Sequence, residues 1–146
     1  MPGNRVLTAG FFSGYSGLHE IQPIFREGIL AMEPDGPMTT TLCGSGNVYL
    51  ADVHIIPGNS GSPIFVTPEF LPGVQMAFGL LGVVSGYMFE NEDMTLTATT
   101  TWKGSVSANS GISVVVPAQQ LKELLESPEI QSQRDEVVQR INKSQP

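Results

Sequence analysis

The sequence predicts an all-β domain, an antiparallel barrel or sandwich, closed by a C-terminal helix. Three observations carry the prediction. About six short apolar runs carry strand-type patterning. Sixteen glycines and eleven prolines are scattered between and around them, which suits many turns joining short strands. Helical periodicity appears only near the end of the chain.

Taken in order, Val6-Leu7-Thr8-Ala9 is the first strand and stops at Gly10. Ile21 to Met32 alternates loosely and reads as one long strand with Pro23 near its start. Asn47 to Ile56 alternates better, with Val48, Leu50, Val53 and Ile55 interleaved with Tyr49, Asp52 and His54. Pro63-Ile64-Phe65-Val66 follows a Gly/Ser turn. Val74 to Ser85 is a long apolar run, expected to be buried on both sides or to form two strand segments. Met94 to Trp102, rich in threonine, reads as an excursion or an extra hairpin, and Ile112 to Val116 as a final β-branched strand. Pro117 suits the first position of a helix. Ala118, Leu121, Leu124 and Leu125 then recur at helical spacing, so that one face is expected to dock on the barrel. Ser127-Pro128-Glu129 starts a second helix, weakly amphipathic from Ile130 to Ile141 and expected to fray from Asn142 to Pro146. There is no internal repeat, and the chain reads as one domain.

With 146 residues the chain can bury a real core. Its apolar fraction of 40% and charged fraction of 14% belong to a folded chain. A net charge of −7 repels phosphate backbones and anionic membrane surfaces, which argues against nucleic-acid binding. No run approaches the length of a membrane span. The start reads as entry to a strand rather than as a secretory signal, and it leaves the compartment open. The single cysteine, Cys43, excludes an internal disulfide and reads as a small buried or half-buried residue. No Cys/His cluster has metal-ligand spacing, so neither a metal nor a cofactor is expected.

The informative stretch is Asp52 to Phe65, containing Gly58-Asn59-Ser60-Gly61-Ser62-Pro63. A strand runs into a tight glycine-flanked turn and leaves as another strand, which is good geometry for an exposed hydroxyl. Gly58 allows backbone angles that bulkier residues resist, and Gly61 leaves room beside the Ser60 oxygen. The N–H groups of Gly58 and Ser60 can then converge on one point, and two such donors aimed at a developing oxyanion are a large catalytic term in acyl transfer. A plain Gly/Ser/Pro hairpin turn without chemistry is the competing reading. An α/β-hydrolase nucleophile elbow is discounted, because Pro63 and a β-type run follow the serine where that fold needs a helix.

On these residues the chain resembles the trypsin-like (chymotrypsin-fold) serine peptidases, and within them the high-temperature-requirement (HtrA/Deg-like) branch. That branch carries Asn-Pro-Gly-Asn-Ser-Gly-Gly-Pro, where this chain has Ile56-Pro57-Gly58-Asn59-Ser60-Gly61-Ser62-Pro63, so Ile56 and Ser62 depart from it. Gly82 to Gly86 resembles the strand that lines the substrate cleft. Ser110 to Pro117 with the Leu-rich helix resembles the last strand and C-terminal helix, and Val6 to Gly14 the entry into the second barrel. The resemblance covers residues 5–126 and leaves 127–146 as a helical or frayed tail. It implies a six-stranded antiparallel β-barrel with a C-terminal α-helix, acting on polypeptide substrates. It further implies Ser60 as nucleophile, the Gly58 and Ser60 amides as oxyanion hole with Asn59 holding the turn, and His54 at the base of the primary specificity pocket. Ser85, Gly86 and Tyr87 would pair with the substrate backbone as a strand.

What the resemblance requires and these residues do not supply is a general base with its orienting acid. The family draws both from an N-terminal barrel. Of the two histidines, His19 in Gly17-Leu18-His19-Glu20 reads as a solvated loop residue. His54 reads either as a pocket wall that favours acidic side chains or as a half-buried strand histidine. Asp35, Asp52 and Asp93 have no histidine set beside them at a family position. Three explanations stand in this order: a fragment of a two-barrel protease, a barrel completed by another chain in trans, and a non-catalytic peptide-binding module. The isolated chain is expected to be inactive or nearly so.

Overall fold

A computed structural model describes residues 1–14, 17–40, 44–67, 78–97 and 101–144. Its centre is a closed barrel of six antiparallel strands. In chain order these are β1 (Arg5–Gly10), β2 (Ile24–Met32), β5 (Tyr49–Asp52), β6 (Pro63–Val66), β7 (Gly79–Thr97) and β8 (Thr101–Pro117). Around the barrel the order is β1-β2-β5-β8-β7-β6. Closure by the β1–β6 pair, Val6 opposite Val66 and Thr8 opposite Ile64, leaves the barrel proper without an open edge. The two remaining strands, β3 (Met38–Thr40) and β4 (Gly44–Gly46), form a separate hairpin. The helices are α1 (Ala118–Leu125) and α2 (Pro128–Ser144). Neither described helix is long and apolar enough to cross a membrane.

The core has two parts, set by the alternation of β5. Ala51, with Val53 and Ile55 beyond it, points into the barrel beside Val6, Leu30, Ile64, Val84 and Val115. Val48 and Leu50 point the other way, onto Val114, and Met38, Met88 and Ile112 pack over them. The short hairpin thus begins with a cap, Met38, on the outer face of β5 and β8. Where they pair, from Tyr49 to Asp52 and from Ile112 to Val115, these two strands bury side chains on both faces, whereas β2 buries one: Phe25, Glu27 and Ile29 of β2 are exposed.

The expected strands are present with changed limits. Strand β2 starts at Ile24, one residue beyond Pro23, and Ile21 stays outside the ladder. Strand β5 ends at Asp52; Val53 to Ile56 keep the alternation without strand pairing. The run from Val74 lies outside the described residues as far as Gln75, Met76 and Ala77. Where description resumes, Phe78 and Leu80 are exposed, so the start of this run is not buried on both sides. The threonine-rich excursion is the end of a long β7–β8 hairpin, paired as far as Thr97 opposite Thr101. From Phe89 onward this hairpin leaves the barrel as a two-stranded arm.

At the C-terminus Pro117 is the N-cap residue, and the helix begins at Ala118. Pro117 is buried and Ala118 and Leu121 are half-buried, but Leu124 and Leu125 are exposed. Only the first turn and a half docks, because α1 runs outward past the barrel end. Gln120 ties this turn down through its Nε2, which donates to the Asn47 carbonyl at 2.8 Å. Helix α2 continues to Ser144, past the expected fraying point. Its second turn is tied to the end of α1 by Arg134, which donates to the Leu125 carbonyl at 2.7 Å.

Candidate active site

Between β5 and β6 the chain makes two successive turns. The Asn59 N–H donates to the Ile56 carbonyl at 3.1 Å, and the Ser62 N–H to the Asn59 carbonyl at 3.1 Å. Pro57-Gly58 fill the centre of the first turn and Ser60-Gly61 that of the second. Gly58 has φ +98° and Gly61 φ +85°, the left-handed angles that the third residue of a type II turn requires, and Pro57 suits the second position. This is why the glycines stand three residues apart, with Asn59 and Ser60 between them. Ser60 sits at an apex, exposed, while Asn59 turns inward and is only 3% exposed.

Asn59 holds the turn from inside. Its Oδ1 accepts from the Ile56 N–H at 3.0 Å, and its Nδ2 donates to the Phe11 carbonyl at 2.7 Å. The far side is stitched to β7, where the Gly61 N–H donates to the Val84 carbonyl at 2.7 Å and the Val84 N–H to the Ser62 carbonyl at 2.9 Å. The near side is stitched to β1, where Thr8 Oγ1 donates to the Pro63 carbonyl at 2.7 Å. The Gly58 and Ser60 N–H groups, by contrast, donate to no acceptor among the described residues. The turn therefore presents two unengaged N–H groups on either side of a buried anchor. The Ser60 hydroxyl donates to the Ser85 carbonyl at 3.0 Å.

Gly10, expected only to stop the first strand, has a further part. A Cβ there would stand 2.5 Å from Ser62 Oγ and 2.8 Å from Asn59 Nδ2. Its hydrogen side chain lets the end of β1 touch the turn. It also explains how the Ser62 side chain, 8% exposed, fits: the room is taken from Gly10. The signal in sequence is slight, a glycine ending a strand with Phe11 after it. Asn109 was likewise unforeseen. Its Nδ2 donates to the Ile55 carbonyl at 2.7 Å, and with the Ser113 hydroxyl bonded to the Val53 carbonyl it fixes the approach to the turn.

Ser85 stands at a register shift between Val84 and Gly86, where a bulge re-aims the strand toward the turn. Gly86 then pairs with Val114 and Tyr87 with Ser113. The edge of β7 away from β8 is covered by β6 only as far as Val83, with Val84 bonded to the turn. From Gly86 onward no described strand pairs with that edge. Beside Ser60 lies a shallow, open cleft of about 400 Å³, walled by Gly10, Phe11, Ile21, Pro23 and Gly58.

The structure brings Ser60, Gly58, Asn59 and Ser85 together, with Gly86 and Tyr87 continuing along β7. It brings neither histidine into hydrogen-bond contact with Ser60. His19 is exposed in the 17–23 segment that leads to the cleft wall. His54 is exposed between buried Val53 and Ile55, and lines neither this cleft nor the second described cavity. Asp35, Asp52 and Asp93 are exposed. Cys43 lies outside the described residues. Among the described residues no three His, Cys, Asp or Glu side chains gather as metal ligands would. No family model, curated protein or solved structure matches the chain.

Proposed function

We propose that this chain is the nucleophile-bearing barrel of a trypsin-like serine endopeptidase, completed by a base-bearing segment or chain outside these 146 residues. The observation that carries the reading is the double turn: Ser60 is exposed at the edge of a cleft, and the flanking Gly58 and Ser60 N–H groups have no partner among the described residues. Both residues are exposed, so the two N–H groups face solvent beside the Ser60 hydroxyl, where an anion formed at that hydroxyl would meet them.

In this reading Ser60 Oγ attacks the scissile carbonyl of a polypeptide aligned along Ser85 to Tyr87. The C–O bond forms as the hydroxyl proton passes to the supplied base. The carbonyl π pair moves to oxygen, and that oxyanion accepts from the Gly58 and Ser60 N–H groups. Collapse expels the amine, which takes the proton back from the base, and water then releases the acyl group by the same route.

Exposed apolar side chains support the need for a covering partner. Ile21 lines the cleft and Leu18 precedes it, Phe25 and Ile29 are exposed on β2, and Phe78 and Leu80 are exposed at the start of β7. A partner seated on these residues would cover them.

A second reading, a peptide-binding module without hydrolysis, is favoured by one observation: Ser60 Oγ donates to the Ser85 carbonyl and touches neither histidine. Fluorophosphonate labelling separates the two. With free imidazole supplied as base, the protease reading expects the label on Ser60, mapped by mass spectrometry, and loss of labelling in Ser60→Ala. Absence of any Ser60 label, with peptide binding unchanged in Ser60→Ala, would establish the binding module instead.

A further inference from the structure

A second cavity, of about 510 Å³ and more enclosed than the cleft, lies where the arm leaves the barrel. Thr39 and Thr40 of β3 form one wall. Tyr87, Phe89 and Asn91 of β7 form another, Ser107 of β8 closes the rim, and Val114 is at the floor. The Tyr87 and Phe89 rings meet at 4.9 Å between centroids and 55° between planes, an aromatic arrangement open to a third ring. Ser107 Oγ donates to Asn91 Oδ1 at 2.7 Å across the rim. The apolar cluster of Val48, Leu50 and Val114 lies beneath.

The register of β7 connects this cavity to Ser60. Ser60 Oγ bonds the Ser85 carbonyl, so the residue whose carbonyl is attacked stands beside Ser85. A polypeptide antiparallel to the open edge of β7 advances one residue toward its own N-terminus for each residue of β7. Its third residue then faces Tyr87, its fifth about Phe89 and its seventh about Asn91. The cavity wall spans this interval, and its centre is about five residues upstream of the scissile bond.

We propose that this cavity is a distal subsite that takes an aromatic side chain of the polypeptide substrate, about five residues upstream of the bond to be cleaved. The inference rests on the protease reading and extends it to substrate class. The occupant is set by continuity: Tyr87 belongs both to the strand edge beside Ser60 and to the cavity. The aromatic pair, the apolar floor and the polar rim together match a ring with a polar backbone on either side. Glu90, Glu92 and Asp93 continue the same strand, exposed, and none is in an ion pair among the described residues. They favour basic residues beyond the ring.

The test uses peptide boronic acids, whose boron adds to a serine hydroxyl and so fixes the register. A phenylalanine is moved one position at a time along an otherwise alanine and glutamine peptide, and affinity for the intact chain is measured. A maximum at about the fifth position, roughly tenfold over alanine, is expected from burial of one ring. Ser107→Phe, which fills the cavity from an exposed strand position, is expected to abolish that maximum while leaving the affinity of a short boronate unchanged. Thr39→Trp fills it from the opposite wall and is expected to do the same. A flat profile with the Ser60 adduct intact overturns the subsite and leaves the protease reading standing. A maximum that survives both filling variants also overturns the subsite. Failure of any boronate to reach Ser60 with free imidazole supplied as base overturns the protease reading itself, and the inference with it.

Discussion

One strand, β7, passes through two unlike environments. From Gly82 to Tyr87 it is buried or half-buried, paired with β8 and bonded to the Ser60 turn through Val84. From Phe89 to Thr95 it is exposed throughout, pairs only with β8, and carries Glu90, Glu92 and Asp93. The register shift between Tyr87 and Phe89 separates the halves. The difference teaches how a small barrel divides its work. The turn is held by many mutually supporting bonds, so the geometry around Ser60 is set in advance. The arm is held by one ladder, so its side chains answer to solvent and to whatever docks on them.

The largest way to break this contrast is Asn59→Ala. It leaves the Ile56 N–H and the Phe11 carbonyl without their partner, and about 2–4 kcal/mol of stability should be lost in urea unfolding, with Ser60 labelling abolished. Gly10→Ala should follow. Its new Cβ meets Ser62 and Asn59, and overpacking of this kind destabilises by about 1–3 kcal/mol. Pairing it with Ser62→Gly, which removes the opposing Oγ, should restore most of that loss. A restoration seen only for stability and not for Ser60 labelling would show that Asn59, not Ser62, bears the clash. At the small end, Val106→Thr on the arm should change stability by less than about 0.5 kcal/mol. Hydrogen exchange should sharpen the boundary: slow at Val83, Val84 and Tyr87, and fast from Glu90 to Thr95 within the same strand. Equal protection on both sides of the shift would contradict the division.

Much of the barrel was legible because its signals are local. Pro57-Gly58 and Ser60-Gly61 state the double turn within five residues, and β-branched runs such as Ile112 to Val116 state a buried strand. The barrel with its terminal helix is the fold the sequence predicts. Contacts between distant segments left weaker traces. The bond from Asn59 to Phe11 joins residues 48 apart, so nothing near Gly10 reveals that it makes room for the turn. The arm was readable only as an excursion, because alternation needs one buried face and the arm has none. The hairpin of β3 and β4, three residues a side, is too short for a period. Periodicity placed Leu124 and Leu125 on the apolar stripe of α1, but periodicity cannot tell how many turns of a helix remain over the barrel. The turn was legible in its glycines and its exposed serine and not in its supports, since Gly10, Phe11 and Asn109 act through backbone carbonyls and close approach.

The central claim is that the turn holds a nucleophile and two amide donors ready for an anion. Titration of the labelled chain with a peptide boronic acid at alkaline pH, followed by amide resonances in the proton–nitrogen spectrum, tests it most directly. The Gly58 and Ser60 amides should move downfield together as a tetrahedral boron adduct forms on Ser60, and neither should move in Ser60→Ala. Adduct formation with both amides unmoved, or with equal shifts in Ser60→Ala, would contradict it.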